Sequence, residues 1–395
     1  MSETLKKPNE IIPENYSPQK PNILDIIDNQ NKLSFTEKTT ILTKSNGTPP
    51  GKSKIKGIHR LYYADKGENF VFDGCLRGVL EALGEPKGYD YNLMMALCGD
   101  IFTQMYNKDS EADCLTDNCF IPEISIHAFR KCGYDSVFIT KDEIKRYPAE
   151  IMKLIKCSIS RGVPVISMGV ANVPVTVSDG AKIWNGSYPV VEGKLTRVPF
   201  ASLIGGYEDD SLLVNVWIGE ADTEENGYAK VQNSLDGSDG LILVGKKTSN
   251  PTLYDIYREI VYSIPVYLTL KPINGFYLGK AAFYEWADNI RNKTIMKYPD
   301  KWNLHFAPAV ILYTNTGRAR EFIDRAIKAC PDFDLAQKLQ YLYEKASMLC
   351  NELNRIQGGF DFDTARFEDE EFNKSHTNIL YKLGDLQDEI IKAFS

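Results

Sequence analysis

Apolar residues at Leu76, Val79, Leu80 and Leu83 have the spacing of one helix face and predict a helix that opens at Cys75. The surrounding stretch, NFVFDGCLRGVLEALG (Asn69–Gly84), joins a short β-like run, a turn at Asp73–Gly74 and that helix, with a thiol where the helix begins. A second apolar helix is predicted over Asn92–Tyr106. A third, Ile121–Cys132, stops at Gly133 before the strand YDSVFIT. A fourth runs from Glu150 to Arg161 and is ended by Gly162 before VPVISMGV. The segments VPFASLIGGYEDDSLLVNVW and GLILVGKK read as strands, and two of these strands meet in a hairpin at Tyr207–Asp210. Past residue 275 the 3.6 period takes over in GKAAFYEWADNIRNK, HFAPAVILYTNTGRAREFIDRAIKA, FDLAQKLQYLYEKASMLCNELNRI and HTNILYKLGDLQDEIIKAF. Helices, then an antiparallel strand set, then helices make an α+β order with a helical C-terminal domain or bundle.

A chain of 395 residues is long enough for two or three units. Residues 1–57 are rich in Pro, Asn, Lys, Ser and Thr and predict a partly flexible extension that adds little to the core. Residues 58–270 mix helix and strand, and 271–395 form the helical part. The formal charge of −7 and the lack of a Lys/Arg stripe argue against nucleic-acid binding. No apolar run nears the roughly 18 residues of a membrane span. The N-terminus has no apolar signal core, so a cytoplasmic protein is expected. The eight cysteines, scattered through apolar segments, are expected to be reduced thiols there.

Free cysteine is by default a small buried hydrophobe. Cys75 departs from that default because a helix N-terminus favours the thiolate. Cys114, Cys119, His127 and Cys132 are spaced unlike a zinc knuckle, and the last two fall in an amphipathic helix, so no metal is expected. Gly205–Gly206 lies between strands rather than before a helix, which argues against phosphate binding. No cofactor is expected.

Three features of the middle region form a set. Asn69 stands six positions before Cys75, Cys75 opens a helix, and a late hairpin reads SLIGGYEDDSLLVN. The set resembles the papain-like superfamily in its bacteriocin-peptidase-like (C39-like) branch. A papain-like half followed by helices also resembles the butirosin-type acyltransferases, which move an acyl group from a carrier protein to an amine. The tail stretches FYEWADNI and TNTGRAREFI fit that group, and the resemblance covers about two-thirds of the chain. It implies a papain-like cysteine protease fold, helices packed on a mainly antiparallel sheet. It also implies Cys75 as a nucleophile open to a cleft, Asn69 as an oxyanion donor and Asn215 as the orienting member of a triad. The family's histidine lies six positions before the Gly of the GY pair, and that position is Phe200. Phenylalanine cannot accept a proton. His305, in NLHFAP, is a candidate alternative base, against its plainer reading as a structural residue at a helix start.

Peptide hydrolysis needs an acid to protonate the leaving amine, whereas a thioester releases a stable thiolate. The missing imidazole therefore favours thioester-to-amide transfer over proteolysis. The expected partners are an acyl or peptidyl carrier protein bearing a phosphopantetheine thioester and a small amine. The amine is a diamine in the similar amide-forming enzymes of closthioamide-type thioamide antibiotic pathways. Asp209, Asp210, Asp179 and Glu192 are candidates for handling a cationic amine. A thiol peptidase with a rearranged triad and a catalytically inactive binding protein of the same fold remain as alternatives.

Overall fold

The computed structural model describes residues 32–42, 49–56, 71–85, 88–107, 122–174, 184–185, 188–189, 195–215, 228–270, 276–297, 305–359 and 363–394. The first half begins with α1 (Phe35–Leu42), β1 (Lys52–Lys54), α2 (Val71–Ala82), α3 (Tyr91–Cys98), β2 (Met105–Asn107) and α4 (Pro122–Lys131). The sheet region follows with β3 (Tyr134–Thr140), α5 (Lys141–Arg146), α6 (Pro148–Ser160), β4 (Val165–Pro174), β5 (Leu195–Glu208), β6 (Ser211–Asn215), β7 (Ala229–Val231) and β8 (Gly240–Lys247). The chain ends in α7 (Leu253–Leu268), β9 (Phe276–Leu278), α8 (Lys280–Arg291), α9 (Ala307–Ala329), α10 (Asp334–Gln357) and α11 (Glu370–Lys392).

A seven-stranded sheet runs in the order β3-β8-β4-β5-β6-β7, with β1 added along β5. Its pairings are all antiparallel, so the α+β expectation holds. Successive strand residues point to opposite faces, and here each face meets its own core. Ile166, Met168, Ala201, Leu203, Ile242 and Val244 join the core shared with α2, α3, α4, α7 and the C-terminal helices. Val137, Ile139, Val165, Ile204, Val214 and Leu241 join a second core with α1 and α6. The sheet is thus the middle of three layers.

The predicted helix over Asn92–Tyr106 is cut short. Gly99 takes φ +84 and closes α3 with its N–H on the carbonyls of Ala96 and Met95. A Cβ there would lie 2.4 Å from the Tyr267 ring, so glycine alone fits both the backbone and the space. One 3-10 turn then leads into β2, which pairs with β9.

The described part of the N-terminal extension, residues 32–42 and 49–56, adds more to the core than its composition implies. Leu42 is part of the second core, Phe35 stacks on Tyr147 at 4.3 Å, and β1 pairs with β5. Lys38, 5 % exposed in its side chain, donates to both carboxylate oxygens of Glu143 at 2.8 and 2.9 Å. Glu143 itself completes the capping box of α5 with Thr140. Apolar residues spaced across a polar-rich segment therefore dock, although composition pointed to a loose arm. The C-terminal helices have no core to themselves either: one continuous cluster runs from Phe72 to Ile390 across position 270. Among the described residues, no helix is long and apolar enough to cross a membrane.

Candidate active site

Helix α2 carries the candidate nucleophile and is almost wholly enclosed. Phe72, Asp73, Gly74, Cys75, Leu76, Gly78, Val79 and Leu80 are all buried. The helix is described from Val71, so Cys75 sits one turn inside it rather than at its start. Cys75 is 0 % exposed, which corrects the expectation of a thiol open to a cleft. The reason is three-layer packing: α2 lies against β5 on one side and α3 on another, with the C-terminal helices completing the same core.

Asn215 comes to the same side of the sheet. It pairs directly with Leu203, and residues directly opposite on neighbouring strands point to one face. Leu203 belongs to the Cys75 core, so the fully buried Asn215 faces that core as well. Position 200 lies inside β5. Among the described side chains, the apolar β5 residues that share the core with Cys75 are Ala201 and Leu203. Asn69, Asp179, Glu192, Cys114 and Cys119 lie outside the described residues. Asp209 and Asp210 form the turn between β5 and β6. Lys156 of α6 lies 3.8 Å from the Asp210 carboxylate, which places this turn toward the second core, away from Cys75.

Sequence reasoning passed over a group of buried polar side chains around α2. Asp73 of α2, Cys98 at the end of α3 and Asp100 just beyond it are all buried, with ligand atoms within 4.8 Å of one another. Two carboxylates and a thiol could hold a cation, either a metal ion or an ammonium group. Next to them lies Lys131, whose ammonium donates to Ser263 Oγ at 2.9 Å and Tyr267 Oη at 3.2 Å. Burial pulls this lysine down to about 8, opposed by the nearby Glu259 carboxylate and the Cys98 and Cys132 thiols. Tyr267 donates onward to the Leu97 carbonyl at 2.9 Å. Only Asp73 carries a sequence signal, as the neighbour of Gly74 and Cys75, where it reads as a turn residue. On α4, burial pushes Cys132 up to about 12 and His127 down to about 3.

His305 is not placed as a base. The Trp286 indole Nε1–H donates to His305 Nδ1 at 3.3 Å, and an indole nitrogen only donates. The neutral ring therefore carries its proton on Nε2, where the Gln357 amide lies at 3.2 Å. The same amide lies 2.7 Å from His376 Nε2. Donor matching assigns the amide oxygen to the side facing both rings, with each imidazole protonated on Nε2. Burial holds His305 down to about 3, and burial with the neighbouring His305 holds His376 well below its ordinary value. Both nitrogens of His305 are thus engaged in joining α8, α10 and α11, and the candidate base becomes a structural residue. Comparison with known proteins returns no matching family model and no matching curated relative.

Proposed function

We propose that the chain is a cysteine-dependent acyltransferase of papain-like fold that forms amides from carrier-bound acyl thioesters. The observation that carries the reading is the packing of the Cys75 helix on β5, on the sheet face that bears Asn215. The Cys75 thiolate would attack the thioester carbonyl and expel the pantetheine thiolate, which needs no acid. A neutral amine would then attack the acyl-cysteine, lose a proton and release the Cys75 thiol. The buried Asp73 and Asp100 carboxylates suit the charge of a small cationic amine. A dry, enclosed thiol also suits a transferase, since water is the competing acceptor. Peptide hydrolysis is disfavoured because His305, the candidate base, is committed to Trp286 and Gln357.

The complete burial of Cys75 favours one other reading, a binding protein in which the thiol is idle. Whole-protein mass spectrometry after incubation with acyl-pantetheine thioesters separates the two. The transferase reading expects one acyl adduct in the wild type, lost in Cys75→Ala with the fold intact, and discharge of the adduct by a diamine. An adduct that persists in Cys75→Ala, or no adduct at all, would sink it.

A further inference from the structure

A cleft of about 530 Å³ opens beside the second core, and Cys75, Asp73, Asp100 and Asn215 take no part in its walls. A volume of this size suits a small molecule. Its floor is the margin of that core. Ile144 of α5 and Leu212 of β6 belong to the core, and Met152 of α6 and Leu235 pack against it.

The charges around this apolar floor are divided by element. Helix α5 supplies the cations, Lys141 and Lys145. Helix α6 starts on the same cleft at Pro148, and its N-cap residue, Tyr147, makes no side-chain cap bond, so the positive end of the helix dipole adds to the lysines. The anions come from other elements. Asp210 belongs to the turn between β5 and β6, and Asp236 to a 3-10 turn over Ser234–Gly237. These charges leave one of each sign available. Lys141 is held by Asp239 at 2.7 Å, and Asp210 meets Lys156 only at 3.8 Å. Neither Lys145 nor Asp236 has an ion-pair partner among the described residues. A buried hydroxyl joins them. Ser234 lines the cleft and is 1 % exposed, and its Oγ has no hydrogen-bond partner among the described residues. Such a group is costly to bury unbonded, and a polar ligand would relieve that cost.

We propose that this cleft binds a zwitterionic dipeptide with apolar side chains. The carboxylate would pair with Lys145 beside the start of α6, and the ammonium with Asp236. The side chains would lie on Ile144, Met152, Leu212 and Leu235, and the Ser234 hydroxyl would bond to the peptide group. A zwitterion satisfies both unpaired charges, whereas a simple anion or cation leaves one of them unmet. Four apolar side chains on the floor favour a dipeptide over a single amino acid. The cleft borders the core opposite Cys75, so the proposal stands apart from the acyltransferase reading.

The test is calorimetric titration of the full chain with L-leucyl-L-leucine, its N-acetyl form, its C-terminal amide and L-leucine. The dipeptide should bind about three- to tenfold tighter than each of the others. Lys145→Met should remove the preference over the amide, and Asp236→Asn the preference over the N-acetyl form. Both side chains are exposed, so neither change threatens the fold. Ser234→Ala should weaken the dipeptide while the thermal midpoint holds or rises. No binding of the dipeptide, or equal binding of the three dipeptide forms, overturns the proposal. Preferences that survive both charge variants overturn it as well, and L-leucine binding tighter than the dipeptide overturns the choice of ligand.

Discussion

The two faces of the sheet are built from different materials. The face toward α1 and α6 is closed by Val, Ile and Leu, with the Lys38–Glu143 ion pair at its margin. The face toward α2 and the C-terminal helices encloses Asp73, Asp100, Lys131, Asn215, Tyr228, His305 and His376 in its core. Burying a polar group is unfavourable unless it is bonded, so the face toward α2 carries a penalty that the other face, where a buried hydroxyl such as Ser167 is bonded to Ser238 at 2.9 Å, largely avoids. Within the α2 face two islands differ again. The His305–Gln357–His376 island uses donor matching to join three helices, which is a structural task. The island beside α2 holds the Cys98 thiol and the Asp73 and Asp100 carboxylates, which is the material of chemistry.

The largest expected effect tests the aliphatic face. Deleting residues 1–50 removes the buried Leu42 and the Phe35–Tyr147 stack and strips Lys38 from Glu143. Leucine burial and an aromatic pair together are worth roughly 4 kcal/mol, so for a chain of this length the thermal midpoint should fall by about 5 °C. A midpoint that does not move would make α1 a passenger and this face incompletely described.

An intermediate effect tests the histidine island. Both rings are neutral when folded, with pKa values depressed by burial, so the unfolded chain binds protons that the folded chain refuses. The stability they support is full above the ordinary histidine value and is lost as pH falls below it, by up to about 1.4 kcal/mol per pH unit for each ring. Urea titrations at pH 7, 6 and 5 should show that slope, and His376→Gln should remove about a third of the histidine contribution, since His127 is held down as well. Equal slopes in wild type and variant would mean that the island is not held neutral.

The smallest effect sharpens the contrast between the islands. Tyr343 on α10 carries a buried hydroxyl without a partner among the described residues, and it sits among helices beside Phe102. Tyr343→Phe should stabilise the protein by about 1 kcal/mol or leave it unchanged, with no change in the acylation of Cys75. Loss of acylation in this variant would erase the distinction drawn between the helical core and the island beside α2.

Local pattern carried much of the fold. The strand YDSVFIT is β3, GLILVGKK is β8, and the turn after Tyr207 falls at Asp209–Asp210 between β5 and β6. These segments have the composition and bounding turns that strands require whatever surrounds them. Helix α7 was not legible, since Pro265 interrupts its pattern, and capping by Thr252 and Asp255 with burial of Ile256, Ile260 and Ile264 holds it together. The apolar run after Asn92 was misjudged for the opposite reason: it stays apolar past Gly99, while the Tyr267 ring forces the helix to end there.

Sequence alone determined the α+β order, the helix bearing Cys75 and the hairpin bearing Asn215, because spacing and turn chemistry act over a few residues. Tertiary structure decided everything that depends on distant segments meeting. It buried Cys75, brought Cys98 and Asp100 to Asp73, and tied His305 to Trp286 and Gln357. It also docked a polar-rich arm through Leu42 and Lys38. A buried polar group takes its protonation and partners from atoms many residues away, and no local pattern encodes that neighbourhood.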